Sequence, residues 1–449
     1  MNKKLLGLLF FGVLMGAMDI ALLAPAINAI QKSFHVSSRE IIWVINAYVF
    51  SNLISTPMLA GLSDRYGRKI IYILSIMIFG LGSLVVIFSG SFNLLIAGRG
   101  IQGFGSGGFF PVATAVIGDS FPKEKQGSAL GILGAVYGLA FILGPVIGGL
   151  FLLISWHWVF VINLPMSIVL IIASLKLFPA KTAGKNVSFD WKGMFLLISC
   201  LGLFAYSVSH INTKDFISSL LSVRVVPYLI ISLLILLFLI YYQKKSENPF
   251  INTQLFKSKQ LILAYLLAFG AGLGETAMMF LPGYIKEMFD ISYSNASFAL
   301  IPMLAALLIG APLAGRFIDA AGVKYVLLFG TAILTAGLVS IWKAHESITS
   351  FYIAEAVLGL GFSFLTGAPL RYIVNNETSE DTRASGQGVI VIFTSVGLIV
   401  SSSLAGALIA SMGGGTAGYK GAFLSLSLVS ALMIFAPIGL KPKDTNQGN

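Results

Sequence analysis

Apolar runs of about 20 residues recur along nearly all of this 449-residue chain, divided by short polar stretches. A helix of that length crosses the ~30 Å hydrocarbon core of a bilayer. The pattern therefore predicts an all-α polytopic membrane protein with fourteen spans, at roughly 5–30, 41–60, 70–90, 92–118, 128–154, 159–178, 193–212, 225–243, 261–282, 295–315, 324–342, 350–370, 384–411 and 422–440. Lys3 and Lys4 precede the first run, and Ala24-Pro25-Ala26 loosely resembles a signal-peptidase site. Asp19 interrupts that run, which is long enough to span, so it reads as a first helix with an internal acid rather than a cleaved leader.

The stretch Gly61-Leu62-Ser63-Asp64-Arg65-Tyr66-Gly67-Arg68-Lys69 concentrates charge between the second and third runs, in a chain only 10% charged. A tight polar loop between two spans lies at one membrane face, and its cations place that face in the cytoplasm. With both termini on the same side, about three quarters of the Lys and Arg residues fall inside, Arg371 and Arg383 among them. His35, His157, His210 and His345 all fall at outer ends, where interfacial polarity accounts for them. The net charge of +11 thus reflects topology and not a nucleic-acid partner.

A hydrophobic content of 57% excludes an ordinary soluble domain. The single cysteine, Cys200, excludes an intrachain disulfide or a Cys-rich metal site. Gly103-x-Gly105-x-x-Gly108 fits a dinucleotide pattern but lies inside an apolar span with no preceding strand. There is no Walker A sequence either. No enzyme activity, metal or cofactor is expected, apart from a proton as coupling ion.

The chain repeats itself at a shift of about 255 residues. Asp64-x-x-Gly67-x-Lys69 meets Asp319-x-x-Gly322-x-Lys324, Gly103-x-Gly105 meets Gly359-x-Gly361, and Gly131 meets Gly388. Helices 1–6 therefore correspond to helices 9–14, and two extra helices sit between them. The expected organisation is a six-helix bundle at 1–178, two inserted helices with linkers at 179–258, a second bundle at 259–440 and a polar tail at 441–449. Parallel repeats of this kind suggest a transporter with its site between the halves. The same shift carries Asp19 onto Glu275 and Arg99 onto Glu355, so intramembrane ionisable residues take matched places.

These residues carry a resemblance. The chain resembles the major facilitator superfamily, and within it the fourteen-span drug:proton antiporters, over about residues 5–440. The 61–69 stretch matches the superfamily's loop between helices 2 and 3. Gly98-Arg99-Gly100-Ile101-Gln102-Gly103 resembles its helix-4 motif, whose arginine is linked to proton transfer. Gly144-Pro145-x-x-Gly148-Gly149 resembles the antiporter motif of helix 5, and Met18-Asp19 the helix-1 acid motif. Trp156-His157-Trp158-x-Phe160-x-Ile162-Asn163-x-Pro165 resembles a junction of the fourteen-span family, in which arginine usually stands where His157 is. Ala320 and Val323 replace Arg65 and Arg68 in the second copy of the loop, and one residue is inserted before Asp319, so the second gate is either weaker or relies on other contacts.

A carboxyl group in a low-dielectric setting can load and release a proton near neutral pH. Asp19 and Glu275 are therefore candidate proton carriers, with a satisfied polar residue in a helix interface as the alternative. Arg99 needs an acid, water or carbonyls around it; Glu355 is a candidate partner by pseudo-symmetry, and a structural hydrogen-bond hub is the alternative. Gly61, Asp64, Arg65, Gly67, Arg68 and Lys69, with Asp119 and Asp319, are candidate gating residues that could also be topological anchors. Gly144, Pro145, Gly148 and Gly149 could form a tight, leak-resistant helix contact, or ordinary packing. Asn28, Asn46 and Tyr48 are candidate substrate contacts.

The expected function is proton-coupled export of small amphipathic compounds by alternating access, from a monomer in the plasma membrane with both termini cytoplasmic. Export of a dedicated lipid, glycolipid or metabolite is the alternative, and a non-transporting membrane sensor or structural protein the second.

Overall fold

The computed structural model describes residues 3–36, 40, 41, 43–178, 190–211, 216–246, 249, 251–291, 299–343 and 347–442. His345, the 179–189 linker and the tail from 443 onward lie outside the described residues. The chain is helical throughout its described length. Its elements are α1 (Lys3–Phe34), α2 (Trp43–Tyr66), α3 (Arg68–Ile87), α4 (Phe92–Ser106), α5 (Phe109–Ser120), α6 (Lys123–Leu152), α7 (Trp158–Val161) and α8 (Asn163–Leu177). Next come α9 (Trp191–Ser209), the short α10 (Phe216–Leu220) and α11 (Val226–Lys245). The last group is α12 (Lys259–Phe289), α13 (Ile301–Ala321), α14 (Val323–Lys343), α15 (Ile348–Thr366), α16 (Ala368–Glu377), α17 (Arg383–Ser411) and α18 (Gly415–Met433).

Among the described residues, 12 helices are long and apolar enough to cross a membrane. α2 falls outside that set although it has 24 residues, because Asn46, Ser51, Asn52, Ser55 and Thr56 dilute its apolar character. The run at 92–118 is divided at Gly107 and Gly108 into α4 and α5, of 15 and 12 residues. Both stretches nonetheless pack among spans, α2 against α4 and α17, and α4 against α3.

Apolar side chains gather into two large cores, one built mainly from α1 to α9 and the other from α12 to α18. α9 and α11 pack on each other, and α11 leaves Leu233, Leu234, Leu237 and Phe238 exposed, the outer surface a lipid-facing helix would have. The two cores meet along α6 against α13 and α2 against α17. Glycine makes the first of these contacts possible. A Cβ on Gly131 would lie 2.6 Å from the Ala311 carbonyl oxygen, and one on Gly138 would lie 2.9 Å from Leu308 Cα. Gly127 and Gly134 face α13 in the same way, so small residues at i, i+4, i+7 and i+11 form one stripe. Gly131→Val is expected to wedge the two cores apart. It should lower stability in detergent by about 1–3 kcal/mol, read by thermal unfolding, whereas the same change at open Gly149, which has nothing within 4 Å, should be close to neutral.

Gly67 and Gly322 stand between successive helices with φ of 97° and 87°. L side chains rarely adopt that region, so the matched glycines of the repeat hold matched turns. The helix ends at these turns, together with the end of α5, the last residues of α16 and the starts of α6 and α17, meet at one end of the molecule, the Asp64 face.

Candidate functional site

The first polar cluster is assembled inside the α1–α8 core. Asp19 is fully buried and Arg99 is 1% exposed, and the two form an ion pair through Nη1 and Oδ2. Arg99 Nη1 also donates to Gln102 Oε1 at 2.8 Å and Nε to the Val44 carbonyl at 3.0 Å. Asn163 donates to Asp19 Oδ1 at 2.8 Å and Gln102 donates to the same oxygen at 3.2 Å. Gln102 and Asn163 also reach Ser83 Oγ. Tyr48 lies under the guanidinium, 4.5 Å from its ring centroid, with Phe160 at 5.6 Å on another side. A buried arginine thus has an acid, an amide, a carbonyl and two aromatic faces, the full set that a charge away from water requires.

Arg99 therefore does not pair with Glu355. Pseudo-symmetry carries Arg99 onto Glu355 in the other core, and equivalent places are far apart by construction. Glu355 is itself fully buried in α15, and among the described residues neither carboxyl oxygen has a hydrogen-bond partner. Glu275, the counterpart of Asp19, behaves differently again. It opens onto a central cavity of about 480 Å³ between the two cores, whose wall also includes Tyr48, Asn52, Tyr137 and Arg371.

Arg371 is a residue that sequence reasoning misplaced. The apolar run was expected to end at 370, which put Arg371 in a loop at the membrane face. The helix instead restarts at Ala368 after Gly367 and continues to Glu377. Its span runs Ile348–Glu377, and Arg371 is 8% exposed at the cavity. The repeat held the signal, because the matching first-half helix extends through Ser120.

Of the three expected substrate contacts, Tyr48 lines the cavity and donates to the Gly16 carbonyl at 3.2 Å. Asn46 is half-buried but is not part of the cavity wall; Asn52, farther along α2, takes that place and donates to Ser106 at 2.8 Å. The Asn28 side chain lies outside the described part of the structure.

Two latches close the Asp64 face. Asp64, on α2, accepts from Ala384 N at 2.9 Å and from both Ser385 N and Ser385 Oγ at 2.6 Å, at the start of α17. Asp319, on α13, accepts from Gly127 N at 3.0 Å, from Ser128 N at 2.9 Å and from Ser128 Oγ, at the start of α6. Each acid from one core thus meets N–H groups near the positive dipole end of a helix belonging to the other, in the first turn of α17 and the second turn of α6. The second latch keeps the whole of this contact despite its lost arginines. The two copies differ in an added ionic layer: Arg68 pairs with Asp64 and, at 3.0 Å, with Asp119, and Asp119 also pairs with Arg383. Arg68 Nη2 reaches the Glu380 carbonyl at 2.6 Å.

The remaining loop cations go elsewhere. Lys69 donates to the Leu175 carbonyl at 2.8 Å, and Arg65 to the Pro249 carbonyl at 3.3 Å. Gly61 is buried within α2. Gly144 sits against Ala21 of α1, inside one core rather than between cores. Gly148 is buried, a Cβ on half-buried Gly149 would meet nothing within 4 Å, and the Pro145 side chain is outside the described structure. The tight contact between cores lies earlier on the same helix, at the Gly127–Gly138 stripe. His157 stacks on Trp156 at 3.7 Å and shares a 2.8 Å hydrogen bond with Ser155. Partial burial lowers the imidazole pKa from its ordinary value.

Two helical cores facing each other across a largely apolar cavity with a few polar groups in its wall, latched reciprocally at one face, define a membrane transporter of the major facilitator fold. The sequence matches the Major Facilitator Superfamily model over residues 9–306 and 264–448, and the chain belongs to that family. It is 34% identical over 413 residues to the MFS-type transporter YfiU of Bacillus subtilis, covering 90% of this chain and 79% of that one. It is 30% identical to Multidrug resistance protein 3 of the same organism, covering 80% and 70%. It is 28% identical to the riboflavin transporter RibZ of Clostridioides difficile, covering 78% and 76%. The crystal structure of the human organic anion transporter MFSD10 superposes with a TM-score of 0.72 at 15% identity, covering 97% of this chain and 99% of that one, a likeness of fold.

Proposed function

We propose that the chain is a fourteen-span, proton-coupled exporter of small amphipathic compounds, with α2 and the α4–α5 rod completing the count. In this reading the bundles at 1–178 and 259–440 rock about the α6–α13 and α2–α17 contacts, and the inserted helices flank them. The Asp64 face is cytoplasmic, and both termini lie there, in the plasma membrane. The latched arrangement is then the state closed toward the cytoplasm. Asp119, Arg68 and the two latch acids act as gating groups.

The observation that carries the reading is the placement of one acid at the cavity and a second just behind its wall. Glu275 opens onto it, and the Asp19–Arg99 pair stands directly behind Tyr48 in its wall. A carboxylate facing an apolar cavity can hold a proton or a cationic substrate in turn. Multidrug resistance protein 3 among the relatives supports the substrate class, whereas the riboflavin transporter keeps export or uptake of one dedicated metabolite as the second reading.

Reconstitution tests it. Lipophilic cations presented to purified protein in proteoliposomes should drive proton movement in the opposite direction. The Asp19→Asn, Glu275→Gln double variant should lose that coupling, and coupling that persists undiminished in it overturns the assignment of these acids.

A further inference from the structure

The cavity wall holds opposite charges on two helices of the second core that pack on each other, and neither charge is neutralised by direct contact among the described residues. Glu275 projects from α12 and Arg371 from α16; each feels the other's field, but they form no ion pair. Glu275 makes no hydrogen bond to the described residues. Arg371 uses Nη1 on Gln387, at 2.9 Å to its carbonyl and 3.2 Å to Oε1. Among the described residues its Nε is buried with no partner, and the Arg371 hydrogen bonds run through Nη1 and not Nη2. Nε and Nη2 form the edge of a guanidinium that receives a carboxylate or phosphate through two parallel bonds. A buried donor left unmade is costly, and Phe110, 4.8 Å from the guanidinium to its ring centroid, covers a face of the group but supplies no acceptor.

We propose that the cavity takes a zwitterionic amphiphile, with its anionic group on the free edge of Arg371, its cationic group on Glu275 and an aromatic or aliphatic body among Phe110, Phe141 and Phe362. All three phenylalanines stand in the cavity wall. The proposal rests on the exporter reading and agrees with its exchange logic, because the cationic end and a proton compete for the same carboxylate. A lone cation would leave the Arg371 edge unmade, and a lone anion would leave the Glu275 carboxylate without a partner among the described residues.

The test uses one naphthalene-bearing scaffold in three forms: an amino acid with ammonium and carboxylate, its methyl ester, and its N-acetyl derivative, each prepared at graded spacing of the two groups. Binding to wild-type protein in detergent is read by naphthalene fluorescence. At the best spacing the zwitterion should bind about ten-fold or more tighter than either single-charge form, as one charge-assisted contact implies. Arg371→Lys, which keeps the charge but not the fork, should erase the preference over the ester, and Glu275→Gln should erase the preference over the N-acetyl form. A zwitterion that binds no tighter than both single-charge forms at every spacing overturns the proposal, and so does a full preference retained in Arg371→Lys. The comparison within wild-type protein does not depend on any variant folding. Proton movement driven by the methyl ester, without a zwitterion preference, would overturn this inference and leave the exporter reading standing; no proton movement with any of the compounds would count against the exporter reading itself.

Discussion

Asp19→Asn is expected to be among the most damaging single substitutions in the chain, costing about 3–5 kcal/mol of stability. The reason is the company Arg99 keeps. Among the described residues Asp19 supplies its one ion pair, and Arg99 is 1% exposed. Asparagine fills the same space, but it leaves a guanidinium charge uncompensated in the interior of a core. Gln102 Oε1 and the Val44 carbonyl remain as acceptors, and they moderate the loss without removing it. A second variant separates charge from packing. In Asp19→Asn combined with Arg99→Met, no buried charge is left over, and part of the stability should return even though transport does not. Thermal unfolding in one detergent checks both. If the double variant proves less stable than Asp19→Asn alone, the pair is not an electrostatic unit and the hydrogen-bond web through Asn163 and Ser83 carries the site.

Asp64→Asn is expected to open the latched face. The carboxylate accepts three hydrogen bonds from the first residues of α17 and pairs with Arg68. A hydrogen bond to a charged group is worth roughly 1.5–3 kcal/mol, and about 1.4 kcal/mol shifts an equilibrium ten-fold. Loss of the charge should therefore raise the population open at this face by at least about ten-fold. Ala60 offers a place to measure it, since it is fully buried on α2 beneath the latch and its Cβ position meets Gly388 of α17. A cysteine introduced there, with Cys200 replaced by serine, should react faster with a membrane-impermeant maleimide in the Asp64→Asn background. Asp319→Asn should act in the same direction. Unchanged labelling in both would reduce the loop to a topological anchor.

The spans were legible because an apolar run of membrane length has few other uses. The exceptions are physical. α2 escapes a hydropathy criterion because Asn52 and Thr56 face the cavity, where polarity is tolerated. The run to 370 stopped short because Arg371, Asn375 and Asn376 are polar, yet Asn375 donates to the Thr114 carbonyl at 2.9 Å and Gln387 donates to Asn375 at 2.8 Å. Those partners lie far away in sequence, so nothing local announces that the helix continues.

The individual charged residues were equally visible, and their partners were not. Asp19 and Arg99 are 80 residues apart, and an internal repeat reports equivalence, not contact. The repeat did place Asp64 with Asp319 and Gly67 with Gly322. It was silent on the acceptor helices, since Ser128 and Ser385 bear no mark of helix starts that will receive an acid from the other core. The glycine stripe on α6 was in plain view, but attention to Gly144–Gly149 drew the expected contact one stretch too far along the same helix.

The reciprocal latches have a mechanical consequence. An acid from the first core caps a helix of the second, and an acid from the second caps a helix of the first. That is the geometry of an isologous interface, the kind that closes a twofold homodimer, here made by two halves of one polypeptide. Any rotation about the pseudo-axis lengthens both contacts together, so neither latch can be released as a prelude to the other. The face should unzip in a single step, and a substitution on one side should be felt as a change in the rate at which both let go.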